Sequence, residues 1–140
     1  MPETVADLVS TIIPVHNRPE MLRTAVESVL AQTWRPIEIL ICDDGSTDAT
    51  VSIGRELERE HPDIVRYEWR PNGGAGVARE TGRQLARGEF IQYLDSDDSL
   101  WPRKFELQIA ALRGRPECGA AYGQIRLCPE NGEPRERPHK

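Results

Sequence analysis

Residues 8–41, LVSTIIPVHNRPEMLRTAVESVLAQTWRPIEILI, decide the fold. Leu8–Val15 is an apolar run rich in β-branched residues, too short for an independent helix and too apolar for a loop, and so reads as a buried strand. Pro19 suits a first helical turn, and Leu22, Ala25, Val26, Val29 and Leu30 then recur at the spacing of one helical face. Ile37–Ile41 returns to a continuous apolar strand. Two buried strands flanking an amphipathic helix make a βαβ unit, whose crossover is right-handed and whose strands are parallel.

The pattern repeats outward from this unit. CDDGSTDAT carries turn chemistry, and Asp48 is placed to cap a helix containing Ile53 and Leu57. Ile64–Trp69 reads as a third strand, RPNGGAG as a turn, and residues from about Val77 to Ala86 as a helix stopped by Gly88. Phe90–Leu94 is a fourth strand; after DSDDSLWP, Phe105, Ile109 and Leu112 mark the inner face of a helix ended by Gly114 and Pro116. A fifth strand is expected over Cys118–Leu127. The expected class is α/β, a mainly parallel sheet with helices on both faces, in one domain over residues 1–127. CPENGEPRERPHK, residues 128–140, is proline-rich and charged with no apolar face, and is expected to be a polar tail or linker.

Composition narrows the partners. A chain of 140 residues is about one domain long. A net charge of −5 provides no general basic surface, so no nucleic-acid partner is expected and phosphate binding must be local. No run approaches the roughly 20 apolar residues of a membrane span, and MPETVADL lacks the order of a signal peptide. A cytoplasmic protein is expected, with peripheral attachment at the inner membrane face as a further option. Cys42, Cys118 and Cys128 make neither an even disulfide set nor a CxxC pair, which suits a reducing compartment.

In an open parallel sheet, ligands bind outside the carboxyl ends of the strands, where strand order reverses. The polar clusters fall on that edge: Pro14, His16, Asn17 and Arg18 after the first strand, Asp43, Asp44 and Ser46 after the second, Asn72–Gly76 after the third, and Asp95, Asp97 and Asp98 after the fourth. The connections at the other edge, TWRP, EREHPD and ARGE, hold no comparable concentration of carboxylates. Asp95 and Asp97 stand two apart at a strand end, where extended backbone turns both to one side. Paired carboxylates with a substrate's phosphates suit Mg²⁺ or Mn²⁺. Taken alone, the pattern reads sooner as a solvated turn in which Asp98 or Ser99 caps the next helix. One of Asp43 and Asp44 is expected to accept from a nucleobase N–H, while Thr47 and Asp48 serve the helix start. NGGAG does not match GxGxxG and follows the third strand, so the dinucleotide fingerprint is absent. Arg79, in the first turns of the next helix, reads equally as a phosphate ligand or as an exposed surface arginine. His16 has no second histidine or cysteine at ligand spacing and reads as a pocket wall.

Taken in order, STIIPVHNR, ILICDDGSTD, NGGAGVARETG, GEFIQYLDSDD and AAYG resemble the N-terminal part of family 2 glycosyltransferases, over about Val9 to Gly123. The resemblance implies a Rossmann-like GT-A domain and inverting transfer of a sugar from a nucleoside diphosphate donor, a UDP-sugar first among them, to a hydroxyl on a saccharide, lipid-linked or protein acceptor. It also implies roles: Pro14, His16 and Arg18 lining the nucleotide pocket, Asp44 or Asp43 on the base with Asn72 beside it, and Asp95 and Asp97 as the DxD pair touching ribose and metal. In the family the general base lies in the half that follows AAYG, so it is expected beyond residue 140. Two other enzyme classes fit poorly. Dehalogenase-type phosphoryl transfer places its DxD after the first strand, and a response-regulator receiver needs a phosphoacceptor after the third. A nucleotide- and metal-binding module without transfer is the alternative function.

Overall fold

The computed structural model describes residues 2–128. The tail read at 128–140 lies, from residue 129 onward, outside the described residues. The elements alternate as expected: β1 (Val5–Val15), α1 (Pro19–Leu30), β2 (Ile37–Asp44), α2 (Thr50–Glu60), β3 (Val65–Arg70), α3 (Ala75–Leu85), β4 (Gly88–Tyr93) and α4 (Lys104–Gly114). The four strands form one parallel sheet in the order β3-β2-β1-β4. Two compact units are distinguished, Met1–Glu106 and Leu107–Lys140.

Within the first unit, the sheet is sorted by the alternation of side chains along each strand. On β1 and β2 the even-numbered residues Ile12, Leu40 and Cys42 pack with Ala78 of α3. The approach is close enough that a Cβ on Gly82 would run into Ile12 Cγ2, so only glycine fits there. The odd-numbered residues Ile13, Ile39 and Ile41 are fully buried and so point to the other face. That face is where α1 contacts α2 and α2 contacts β3, and where a Cβ on Gly54 of α2 would meet the Tyr67 ring of β3. Helices thus cover both faces.

Two ends differ from expectation for reasons of pairing. β2 continues past Ile41 through Asp44 because Cys42, Asp43 and Asp44 pair with Glu68, Trp69 and Arg70; ladder hydrogen bonds extend a strand that its polar side chains conceal. α2 begins at Thr50 with Ala49 rather than Asp48 at the N-cap position; Asp48, one residue earlier, accepts from the Thr50 N–H at 2.9 Å. Neither Asp98 nor Ser99 caps α4. That helix starts at Lys104, and its Phe105 N–H is met at 3.1 Å by Oε1 of buried Gln32, a partner no local pattern could have named. Gln32 Nε2 also donates to Trp101 O and Ser28 Oγ accepts from Leu100 N–H, so the segment after β4 is fastened to α1.

In the second unit, the fifth strand expected over Cys118–Leu127 does not form; these residues carry no more than an isolated bridge at Leu127. Tyr122, Ile125 and Leu127 are exposed. Apolar content favours a strand, but a strand exists by pairing, and no ladder is present here among the described residues. Among the described residues, no helix is long and apolar enough to cross a membrane.

Candidate active site at the carboxyl edge of the sheet

Strand order reverses at β1: the chain moves to one side through β2 and β3, then returns to the other side with β4. A cavity of about 370 Å³ lies at this switch point, lined by the last residues of β1 and β2, by residues following β1, β3 and β4 and by the first turns of α3. Its position follows the rule for open parallel sheets.

One wall is built around Asp44. Side-chain alternation turns Asp44 to the same side as Cys42, the α3 side, and puts it on the cavity. Its carboxylate is almost fully buried, and Oδ1 and Oδ2 accept the Gly73 and Gly74 N–H groups at 2.8 and 2.9 Å. Two charge-assisted bonds from successive amides hold the glycine turn against β2. Gly74 has φ +98°, a conformation that L side chains rarely adopt. The Asp44 carbonyl accepts from Asn72 Nδ2 at 3.1 Å and contacts His16 Nδ1 at 2.9 Å. Asn17, at φ +49°, ties the end of β1 to the turn after β2: its N–H donates to Ser46 Oγ, and its Oδ1 accepts from Thr47 N–H.

Asp43 is turned the other way. It is fully buried, does not line the cavity, and has both oxygens engaged, Oδ1 by Ser46 N–H at 2.8 Å and Oδ2 by the Tyr67 hydroxyl at 2.6 Å. Burial, and then this hydrogen bond to a carboxylate, push the Tyr67 phenol well above its ordinary range.

The opposite wall is the acidic turn after β4. The carboxylates of Asp95, Asp97 and Asp98 can each present an oxygen within 4.8 Å of the others. Asp98 enters the group because its N–H bonds to Asp95 O at 3.0 Å, closing a turn that swings it beside the pair. Burial, followed by the Asp97 and Asp95 charges, raises the Asp98 carboxyl above its usual value. Two arginines face this turn: Arg18 Nη1 lies 3.1 Å from Asp97 Oδ2, and Arg79 Nη2 2.7 Å from Asp95 Oδ1.

Of the residues expected from sequence, Pro14, His16, Arg18, Asp44, Asn72, Arg79, Asp95 and Asp97 all line this one cavity, and Asp43 does not. Sequence reasoning missed Val15 and Ser96 in the lining, and placed Asp98 on the ligand edge but as a helix cap rather than beside the carboxylate pair; the i, i+2 pattern at a strand end carries no information about the turn that recruits Asp98. The amino edge is also less bare than its connections suggest. There, Glu38, Glu58, Asp63, Arg66 and Arg87 line a second cavity of about 420 Å³, with Glu38 contributed from within β2 and Glu58 from α2.

Comparison with known proteins agrees with this architecture. Chondroitin synthase of Escherichia coli is 44% identical over 106 residues, 76% of this chain and 15% of that protein. S. aureus TarS 1-349, solved in complex with UDP-GlcNAc, superposes with a TM-score of 0.65 at 29% identity, over 77% of this chain and 32% of that one. Mannosyltransferase PcManGT from Pyrobaculum calidifontis, solved in complex with GDP-Man and Mn²⁺, superposes with a TM-score of 0.64 at 27% identity, over 76% and 32%. These neighbours have the GT-A fold. The matched part spans 33% or less of the length of the curated relatives. The profile of glycosyl transferase family 2 matches residues 10–140, and with the parallel sheet and its switch-point cavity in place, this chain belongs to glycosyl transferase family 2.

Proposed function

We propose that this chain forms the donor-binding side of a glycosyltransferase that moves a sugar from a nucleoside diphosphate, a UDP-sugar first among candidates, to a hydroxyl acceptor with inversion, with Mn²⁺ or Mg²⁺ as cofactor. The observation that carries the proposal is the meeting, in one cavity, of the Asp95 and Asp97 carboxylates, with Asp98 clustered beside them, two arginines and the Asp44–Asn72 wall. A volume of about 370 Å³ falls in the range of small-ligand sites.

The donor set fits a hard divalent cation. Asp95, Asp97 and Asp98 offer oxygens within 4.8 Å of one another, and Mg²⁺-like ions complete such partial shells with phosphate and water. A bound divalent cation supplies Lewis-acid stabilisation of the departing diphosphate. The chain's own residues supply orientation. Asp44 and Asn72 take the base edge, Asp44 retaining lone pairs beyond its two glycine amides. Pro14 and His16 form the adjoining wall, with His16 held at Asp44 O rather than offered as a base. Arg18 and Arg79 meet the phosphates. The residues involved belong to the unit Met1–Glu106, inside the span 1–127 assigned to donor binding. The TarS and PcManGT complexes with nucleotide sugars support the reading.

Calorimetric titration of UDP, GDP, dTDP and CDP, with Mn²⁺ and then with EDTA, tests it. One nucleotide should bind saturably and weaken on chelation; absence of binding by the folded protein overturns the proposal. Binding without transfer to any acceptor would limit the function to a nucleotide-binding module.

A further inference from the structure

The arginines that face the cavity are already engaged. Arg18 and Asp97 share a single N–H···O contact, as do Arg79 and Asp95, and the four side chains are 39–53% exposed. Such pairs are held loosely, unlike bidentate or buried ones. The main chains that carry them are fixed: the Arg18 N–H donates to Thr50 Oγ1 at 2.9 Å at the start of α1, and Arg79 sits within α3. Exchange of partners therefore requires only rotation of side chains.

We infer that Arg18 and Arg79 are resident counter-ions of the acidic turn, and that the site takes a divalent cation and a diphosphate together while binding either alone poorly. This rests on the donor-site reading above. For a cation alone, Asp95 and Asp97 must leave their arginines, and two guanidinium groups are stranded beside a new double positive charge. For a diphosphate alone, Arg18 and Arg79 must leave their aspartates, and bare carboxylates then face two phosphates. With both ligands, the arginines turn to the phosphates and the aspartates to the cation. The charges of the two ligands largely offset one another, and each group in the cavity keeps an opposite partner.

The test is titration of Mn²⁺ into the protein with and without saturating UDP, GDP, dTDP or CDP, following heat and the paramagnetic signal of free Mn²⁺. A second series uses the Arg18→Gln/Arg79→Gln variant, and a control carries Arg66→Gln/Arg83→Gln, which removes the same charge away from the cavity. In the unaltered protein the nucleotide should raise Mn²⁺ affinity at least about tenfold, within the usual range of site-to-site coupling. In the cavity variant, Mn²⁺ alone should bind several-fold tighter than in the unaltered protein, and the coupling should shrink. The inference is overturned if the cavity variant binds Mn²⁺ alone no more tightly, or if the control gains as much. If no nucleotide binds under any condition, the donor reading and the diphosphate half of this inference both fall. The Mn²⁺ arm would still decide whether the arginines screen the acidic turn.

Discussion

Both ends of the sheet carry arginine–carboxylate pairs, and the two ends treat them differently. At the amino end, Glu38 projects from β2 toward Ser10 and Arg87 with its side chain only 6% exposed. Its oxygens accept from Ser10 Oγ, Arg87 N–H and the Arg87 guanidinium, and Ser10 Oγ in turn accepts from Gly88 N–H. Each acceptor is satisfied within the protein, so the network holds the β4 start against β1 and β2. At the carboxyl end, Arg18–Asp97 and Arg79–Asp95 are about half exposed, joined by one contact each, and open to a cavity. A carboxylate that is itself buried and fully satisfied marks a pair that serves the fold, even though Arg87 is half exposed and both residues line the amino-edge cavity, whereas exposure of both partners with one contact between them marks a pair that a ligand can separate.

The contrast can be broken first at the amino end. Glu38→Ala should lower the unfolding free energy by about 3 kcal/mol in urea titration, because it strands Ser10 Oγ and the Arg87 N–H. A loss under about 1 kcal/mol, the size expected of a surface pair, would erase the distinction. Next comes the buried support of the carboxyl edge: Tyr67→Phe should cost about 1–2 kcal/mol by the same measurement, since Asp43 Oδ2 loses its donor. Asp97→Ala should change stability by less than about 1 kcal/mol, while cation-dependent nucleotide affinity measured by calorimetry falls at least about tenfold. Equal affinity in Asp97→Ala and Asp48→Ala would remove the acidic turn from the site.

The smallest effect is expected at Asp48, whose carboxyl is held below its usual range by the Thr50 hydroxyl and N–H. A depressed folded-state pKa means stability present above the unfolded value, about pH 4, and lost as pH falls through the folded one. Asp48→Ala should therefore melt slightly below the unaltered protein at pH 7, and the gap should close as the buffer is taken below the carboxylate range. A gap independent of pH would show that the charge of Asp48 does not matter.

The sequence by itself determined the succession of strands and helices, the parallel class, the edge on which the polar residues gather and the family. These are carried by local apolar periodicity and by short motifs in fixed order, which need no knowledge of distant partners. Tertiary structure alone decided which of two adjacent aspartates meets the cavity, because the pleat sends Asp44 toward α3 and Asp43 toward Tyr67. It also recruited Asp98 through the turn onto Asp95, gave α4 its start from Gln32 across 73 residues, and left Cys118–Leu127 without a strand. The state of Arg18 and Arg79 belongs to the same group. Whether a charged side chain is free, paired or buried depends on which residues the fold brings within hydrogen-bond distance, and the distance along the chain does not encode it.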